Sequence, residues 1–343
     1  IRDRVWCTRS FWRLSRLDPD PLFDIPSVQR EALLEALGLA RWQEWSEPWR
    51  RRKIEEAHQH LWAQGTSPDW LWSLALPLLS VVQDVDPGKR CLIGLSALPG
   101  CGKTTLGRWM ETAAQANDLS LQVMSIDDFY LPSPALDQAM AGNPWSVPRA
   151  LPGSHDIELM HSTLSRWASG ESVEIPQFNK ALRQGRGDRS GWRECNADVL
   201  LLEGWFVGCE PLADPSHDLS DGSAHLAPPL TDEEKQYRSI VLSKLADYQT
   251  IWQKMHLLWQ IAAPDLNAPR RWKEQQNQTQ IIELGAGLPP DELQGFIRMI
   301  AAAIPFTCFE QMPADGTFST DLGRRLRSIR VNPELRTQLP QFL

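Results

Sequence analysis

The stretch Leu95-Ser96-Ala97-Leu98-Pro99-Gly100-Cys101-Gly102-Lys103-Thr104-Thr105 sets the architecture of this chain. The apolar run Cys91-Leu92-Ile93-Gly94 before it reads as a buried strand, and a helical stretch follows it. Strand, glycine-rich loop, Gly-Lys-Thr and helix form the arrangement that wraps the phosphates of a nucleoside triphosphate, ATP or GTP. Glycines let main-chain N–H groups turn inward, and the positive end of the helix dipole faces the same oxygens. Ala97, Leu98, Pro99, Gly100, Cys101, Gly102, Lys103, Thr104 and Thr105 are therefore expected to line the phosphate site. Lys103 is expected to reach the outer phosphates, and the Thr104 hydroxyl to ligate Mg²⁺. The first glycine of the pattern is replaced by Ala97, which fits if that residue keeps a negative φ. Cys101 lies inside the loop, where an oxidisable thiol would link redox state to phosphate binding.

Beyond residue 88, short apolar runs alternate with longer helical stretches. Leu92–Leu95, Leu121–Ile126 and Val199–Leu202 are the clearest strands, and His256–Ile261 is a weaker one. Near-continuous apolar strands belong to a parallel sheet covered on both faces, so a doubly wound, mainly parallel α/β domain is expected over residues 86–343. In such sheets ligands collect at the carboxyl ends of strands, and the unusual residues sit there. Asp127-Asp128 follows the second strand; Asp127 is the candidate base for an alcohol proton, and Asp128 is expected to face Mg²⁺ or a neighbouring backbone group. Glu203 ends the third strand and is expected in the Mg²⁺ shell.

Two further segments carry anion-binding groups. One is the turn Arg149-Ala150-Leu151-Pro152-Gly153-Ser154-His155-Asp156. The other runs from Ile175 through Lys180 to Gly185-Arg186-Gly187-Asp188-Arg189, where glycines alternating with arginines suit a mobile segment closing over phosphates or a carboxylate. Residues 1–85 read instead as a helical extension: Ser27 is expected to cap a helix that Gly38 ends, and Pro77 to kink the helix opened by Ser67-Pro68-Asp69. The basic run Arg50-Arg51-Arg52-Lys53 reads as a solvated helix end.

Composition bounds the partners. A formal charge of −8 over 343 residues argues against a general nucleic-acid binder, so an anionic ligand must meet a local cationic pocket. No apolar run reaches membrane-spanning length and no signal peptide is visible. Six dispersed cysteines without a CxxC pair fit reduced thiols in a cytosolic protein. The chain starts at Ile1, which points to a natural N-terminus further upstream.

The phosphate loop, Asp127-Asp128-Phe129-Tyr130 and Glu203-Gly204 together resemble the phosphoribulokinase, uridine kinase and pantothenate kinase superfamily. More specifically, the chain resembles the D-glycerate 3-kinases of plants and cyanobacteria. The resemblance rests on the turn from Arg149 to Asp156, the Gly185–Arg189 run, Glu203-Gly204-Trp205, Tyr248 with Trp252, and Arg271-Trp272-Lys273-Glu274-Gln275-Gln276. It implies ATP and Mg²⁺ as cofactors and D-glycerate as the acceptor, phosphorylated to 3-phosphoglycerate. It also implies that Arg149, His155, Lys180, Arg186 and Arg189 hold the substrate carboxylate or clamp the transferring phosphate, with Lys273 acting from a lid. Another hydroxylated metabolite (a nucleoside, a sugar phosphate or pantothenate) would use the same core, and a P-loop switch protein would keep the loop alone. Two departures stand out: Phe178-Asn179 replaces the family's Tyr-Asp, and Lys273 replaces an arginine, a point charge in place of a bidentate fork.

Overall fold

The computed structural model describes residues 23–54, 59–212, 226–265, 267–284 and 288–335; Cys7 lies outside them. The strands are β1 (Cys91–Ala97), β2 (Leu121–Ser125), β3 (Val173–Asn179), β4 (Asp188–Cys195), β5 (Val199–Gly204), β6 (Leu257–Ala262), β7 (Gly316–Thr320) and β8 (Leu326–Val331). Six of them form one sheet in the order β2-β5-β1-β6-β7-β8. All neighbours in it pair in parallel except β7 and β8, which are antiparallel. The doubly wound expectation holds, and the weak strand at 257–262 is one of the two neighbours of β1. The β7–β8 pair had no clear sequence signal.

The helices are α1 (Ser27–Ala36), α2 (Trp42–Arg51), α3 (Leu76–Asp84), α4 (Lys103–Ala116), α5 (Ala135–Ala139), α6 (Ile157–Ala168), α7 (Asp232–Leu245), α8 (Gln249–Trp252), α9 (Asn267–Leu284), α10 (Pro290–Ala302) and α11 (Phe306–Glu310). One apolar cluster joins α1, α2 and α3 to α4 and one face of the sheet; a second joins α6, α7, α8, α10 and α11 to the other face. The composition boundary near residue 85 therefore divides two sequence styles but not two cores. Many of the tryptophans do packing work here: Trp42, Trp45 and Trp72 meet at centroid distances of 5.5–6.1 Å. No helix among the described residues is long and apolar enough to cross a membrane.

Three local expectations change. Ser27 is the first residue of α1 rather than its cap; Pro26 takes that position and no side-chain cap bond forms. Ahead of Pro77 the helix widens rather than kinks: Trp70–Ala75 is π-helical, and the Leu76 N–H bonds the Leu71 carbonyl five residues back. Proline has no N–H to give, so shifting register before it absorbs the missing donor. Finally, the arginine-glycine segment is not loose chain. It is the tip of an antiparallel β3–β4 hairpin, tied to α4 by Arg193 on Glu111 (3.1 Å) and to β2 of the main sheet by Gln122 on the Glu194 carbonyl (3.2 Å).

Candidate active site

Two glycines shape the phosphate loop. Gly100 (φ +82°) and Gly102 (φ +114°) lie in the left-handed region, where side chains are strained. A Cβ at Gly100 would also sit 2.6 Å from the Trp272 Cβ, so α9 rests directly on the loop. Arg324 holds the loop as well: its Nε donates to the Gly100 carbonyl at 2.7 Å, and its guanidinium lies 5.5 Å from the Trp272 ring. Trp70, from the N-terminal segment, donates its indole N–H to the Arg324 carbonyl at 2.7 Å. Ala97 stays within β1 and is not among the residues with positive φ, as its replacement of glycine requires. Cys101 is fully buried, and burial pushes its thiol up to about 12. Such a thiol does not ionise at physiological pH, which removes the physical basis for redox control at this position.

The carboxylates stand at the strand ends. Asp127 lies in the Ile126–Phe129 turn after β2; its Oδ1 accepts from the Tyr130 hydroxyl at 2.7 Å and its Oδ2 from Lys180 Nζ at 2.6 Å. Burial opposes ionisation there, but the Lys180 charge and both hydrogen bonds outweigh it and hold the carboxyl well below the usual range. Asp128 serves the turn itself. Its Oδ2 accepts from the Ser125 N–H at 3.1 Å, and Ser125 Oγ accepts from Asp127, a capping box that fixes the local backbone. Burial, with the Asp127 and Glu203 charges nearby, pushes Asp128 up to about 6. Glu203 is 5% exposed; its Oε1 lies 3.5 Å from Thr104 Oγ1 and its Oε2 3.9 Å from Lys103 Nζ. Burial raises the Glu203 pKa, partly offset by Lys103.

The turn at 149–156 brings Arg149 and His155 inward; they are 8% and 3% exposed. Ala150 adopts a φ of 83°, and its carbonyl accepts from the Trp205 indole at 2.8 Å. Arg149 spans to the hairpin tip, donating to the Gly185 carbonyl at 2.6 Å and to the Arg186 carbonyl at 3.1 Å. His155 stacks on Tyr130 with centroids 4.5 Å apart. Burial pushes this imidazole down to about 4, against the pull of Asp127, so it is neutral at physiological pH.

Some expected clamps are engaged elsewhere. Arg186 binds Asp137 through two nitrogens at 2.8 and 3.2 Å, and Arg183 binds the same carboxylate. Arg189 meets Asp156 at 3.2 Å and the Tyr130 carbonyl at 3.3 Å. These arginines brace the hairpin tip. The cations that converge are Lys103, Arg149, Lys180 and Lys273: burial and the charges of the other three push Lys273 down to about 8. Phe296 of α10 underlies part of this group, 5.8 Å from Arg149 and 5.7 Å from Lys273. Sequence reasoning gave no role to Phe296, Asp137 or Arg324. Arg324 reaches a loop 224 residues away, and no local pattern marks such a contact.

No known family profile matches the chain. It is 31% identical over 227 residues to the uncharacterized kinase mug58 of Schizosaccharomyces pombe, covering 61% of this chain and 78% of that protein. It is 29% identical over 231 residues to the chloroplastic D-glycerate 3-kinase of Arabidopsis thaliana, covering 64% of this chain but only 48% of that protein. Its backbone also superposes on the D-glycerate 3-kinase of Cryptococcus neoformans var. grubii with a TM-score of 0.64 at 19% identity, covering 76% of this chain and 99% of that one. The phosphate loop on its strand and helix, the strand-end carboxylates and these similarities agree, and the chain belongs to the P-loop kinase family represented by the Schizosaccharomyces protein.

Proposed function

We propose that the protein transfers the γ-phosphoryl group of ATP to the 3-hydroxyl of D-glycerate. The observation that carries this reading is the convergence of Lys103, Arg149, Lys180 and Lys273 around Asp127 and Glu203, in a chain whose overall charge is −8. Such a cluster suits two anions at once, a polyphosphate and a small hydroxy acid. The relatives named for D-glycerate support the acceptor.

The residues fit a nucleotide with Mg²⁺. Glu203 Oε2 is buried and has no hydrogen-bond partner among the described residues, and the Thr104 hydroxyl stands beside the same carboxylate. No group of three or more His, Cys, Asp or Glu side chains forms a metal cage among the described residues. A magnesium ion held by Thr104 and Glu203 would therefore draw its other ligands from phosphate and water, the usual pattern for this ion. Bound there, it would neutralise phosphate charge as the bond to the leaving oxygen breaks. Asp128, committed to the capping box by one oxygen, supports the Asp127 turn.

The chain's own residues supply the rest. Lys103 and the loop amides would hold the phosphates. Asp127 is ionised, and each of its oxygens retains acceptor capacity beyond the bond it already makes. It accepts a hydrogen bond from the acceptor hydroxyl, aligns that oxygen, and takes its proton as the new P–O bond forms. Lys180 keeps this carboxylate weakly basic, which suits proton transfer late in a loose phosphoryl-transfer transition state. Arg149 and Lys273 offset the acceptor carboxylate and the migrating charge. The test is ³¹P NMR of the product formed from MgATP and D-glycerate. Esterification at the terminal carbon gives a phosphorus triplet from two adjacent protons; a doublet, or no ester, overturns the assignment.

A further inference from the structure

His155 and Tyr248 form a buried hydrogen-bonded pair that the phosphoryl-transfer scheme leaves unused, and counting its protons assigns it a role. The Tyr248 ring is fully buried at the C-terminal end of the short turn 246–248, and its hydroxyl oxygen is 2.7 Å from His155 Nδ1. That oxygen already accepts the Gly153 N–H at 3.0 Å. With that bond made, the phenol oxygen can accept at most one further donor, while its own proton still needs an acceptor. Among the described residues the His155 ring nitrogen is the acceptor within reach. Ser154 does not change the count: its hydroxyl proton goes to the Leu151 carbonyl at 2.6 Å, and its oxygen is 3.3 Å from Nδ1.

The two tautomers therefore differ in what they strand. With the proton on Nε2, Tyr248 donates to Nδ1 and one group is unmet, the Nε2–H itself. With the proton on Nδ1, the Tyr248 hydroxyl loses its acceptor and the Nε2 lone pair is unmet as well. Buried unpaired polar groups are costly, so the first arrangement prevails. Nε2 is indeed a buried atom with no partner among the described residues. The ring that carries it stacks on Tyr130, whose hydroxyl donates to Asp127. We infer that Tyr248 is a positioning residue that locks His155 as the neutral Nε2–H tautomer, so that His155 donates a hydrogen bond to an oxygen of the acceptor substrate beside Asp127. This rests on reading the surroundings of Asp127 as the acceptor site. A neutral donor there discriminates between oxygen and apolar substituents without adding another positive charge to the cation cluster.

The test uses the full chain labelled with ¹⁵N-histidine. Long-range ¹H–¹⁵N correlation, with the His155 signal assigned by its loss in His155→Gln, is expected to show a protonated Nε2 and an unprotonated Nδ1. A protonated Nδ1 overturns the inference. Tyr248→Phe is expected to remove the single-tautomer signature and to raise the KM for D-glycerate about tenfold, the loss of one well-placed hydrogen bond, while the KM for MgATP moves less than about twofold. A Tyr248→Phe protein with the wild-type tautomer, or with an unchanged acceptor KM, contradicts it. His155→Gln, whose amide can stand in for Nε2–H, is expected to retain more acceptor affinity than His155→Asn; the reverse order counts against the donor role. Adding D-glycerate is expected to move the Nε2 resonance. If a different alcohol moves it and D-glycerate does not, the donor role stands and the D-glycerate assignment falls; if no alcohol in the acceptor panel moves it, the donor role falls.

Discussion

The two walls of the site are built by opposite means. The phosphate loop is fixed by packing and main-chain bonds: Gly100 against Trp272, Arg324 on the Gly100 carbonyl, and Trp70 on Arg324. The hairpin tip opposite is fixed by charge: Lys180 on Asp127, Arg183 and Arg186 on Asp137, and Arg189 on Asp156. Two of these groups are half exposed; the Lys180 and Arg186 side chains are 53% and 52% accessible. Close packing tolerates little change, whereas exposed ion pairs are weak, salt-sensitive and readily rearranged. On the proposed reading, the phosphates would meet a closely packed cradle and the acceptor a wall held by charge.

The sharpest break in this contrast is expected at the carboxylate that the charged wall holds. Asp127→Asn is expected to lower kcat by about 10²–10⁴-fold, the usual range for a general base, while MgATP binding measured by calorimetry stays within about threefold. Comparable losses in both would mean that Asp127 belongs to the nucleotide site.

On the packed wall, Gly100→Ala adds a side chain at a φ of +82° and 2.6 Å from Trp272. Backbone strain of that kind costs about 1–3 kcal/mol, so the KM for MgATP is expected to rise about tenfold or more, with D-glycerate affinity little changed. A variant with normal MgATP kinetics would show that the loop is not rigid.

Lys273, whose main chain lies against the loop at Gly100, carries a pH signature. Its pKa is lowered to about 8, so it is cationic below that pH and neutral above it. The attraction for phosphate is present in acid and lost as pH rises; kcat/KM for MgATP is expected to decline through about pH 8. Lys273→Arg, which keeps its charge, is expected to flatten that limb, and an unchanged profile would assign the ionisation elsewhere. The smallest effect is expected from Asp137→Asn, which frees the tip arginines. Exposed pairs contribute about 0.2–1 kcal/mol, so the acceptor KM is expected to change less than about fivefold, and less still at 0.5 M salt. A large, salt-independent effect would mean that the tip is held by packing after all.

The same contrast explains what the sequence disclosed. The phosphate loop, β1, β2 and β5 were legible because a loop motif and continuous apolar runs are local properties, and Asp127 and Glu203 because they end such strands. The bracing of the tip was not legible. Asp137 and Arg186 are 49 residues apart and Asp127 and Lys180 are 53 apart, and a sequence shows two charges without showing that they meet. Arg186 was accordingly expected at the substrate, and the structure puts it on Asp137. The hairpin itself was masked by Pro176 and by the glycines at its tip, which read as loop chemistry.

The central claim is acceptor-dependent phosphoryl transfer, and the most direct measurement is ADP release from MgATP with D-glycerate, L-glycerate, uridine and pantothenate in parallel. Strong stimulation by D-glycerate alone is the predicted result. Equal, acceptor-independent ADP release in every arm, or stimulation by another alcohol only, would contradict it.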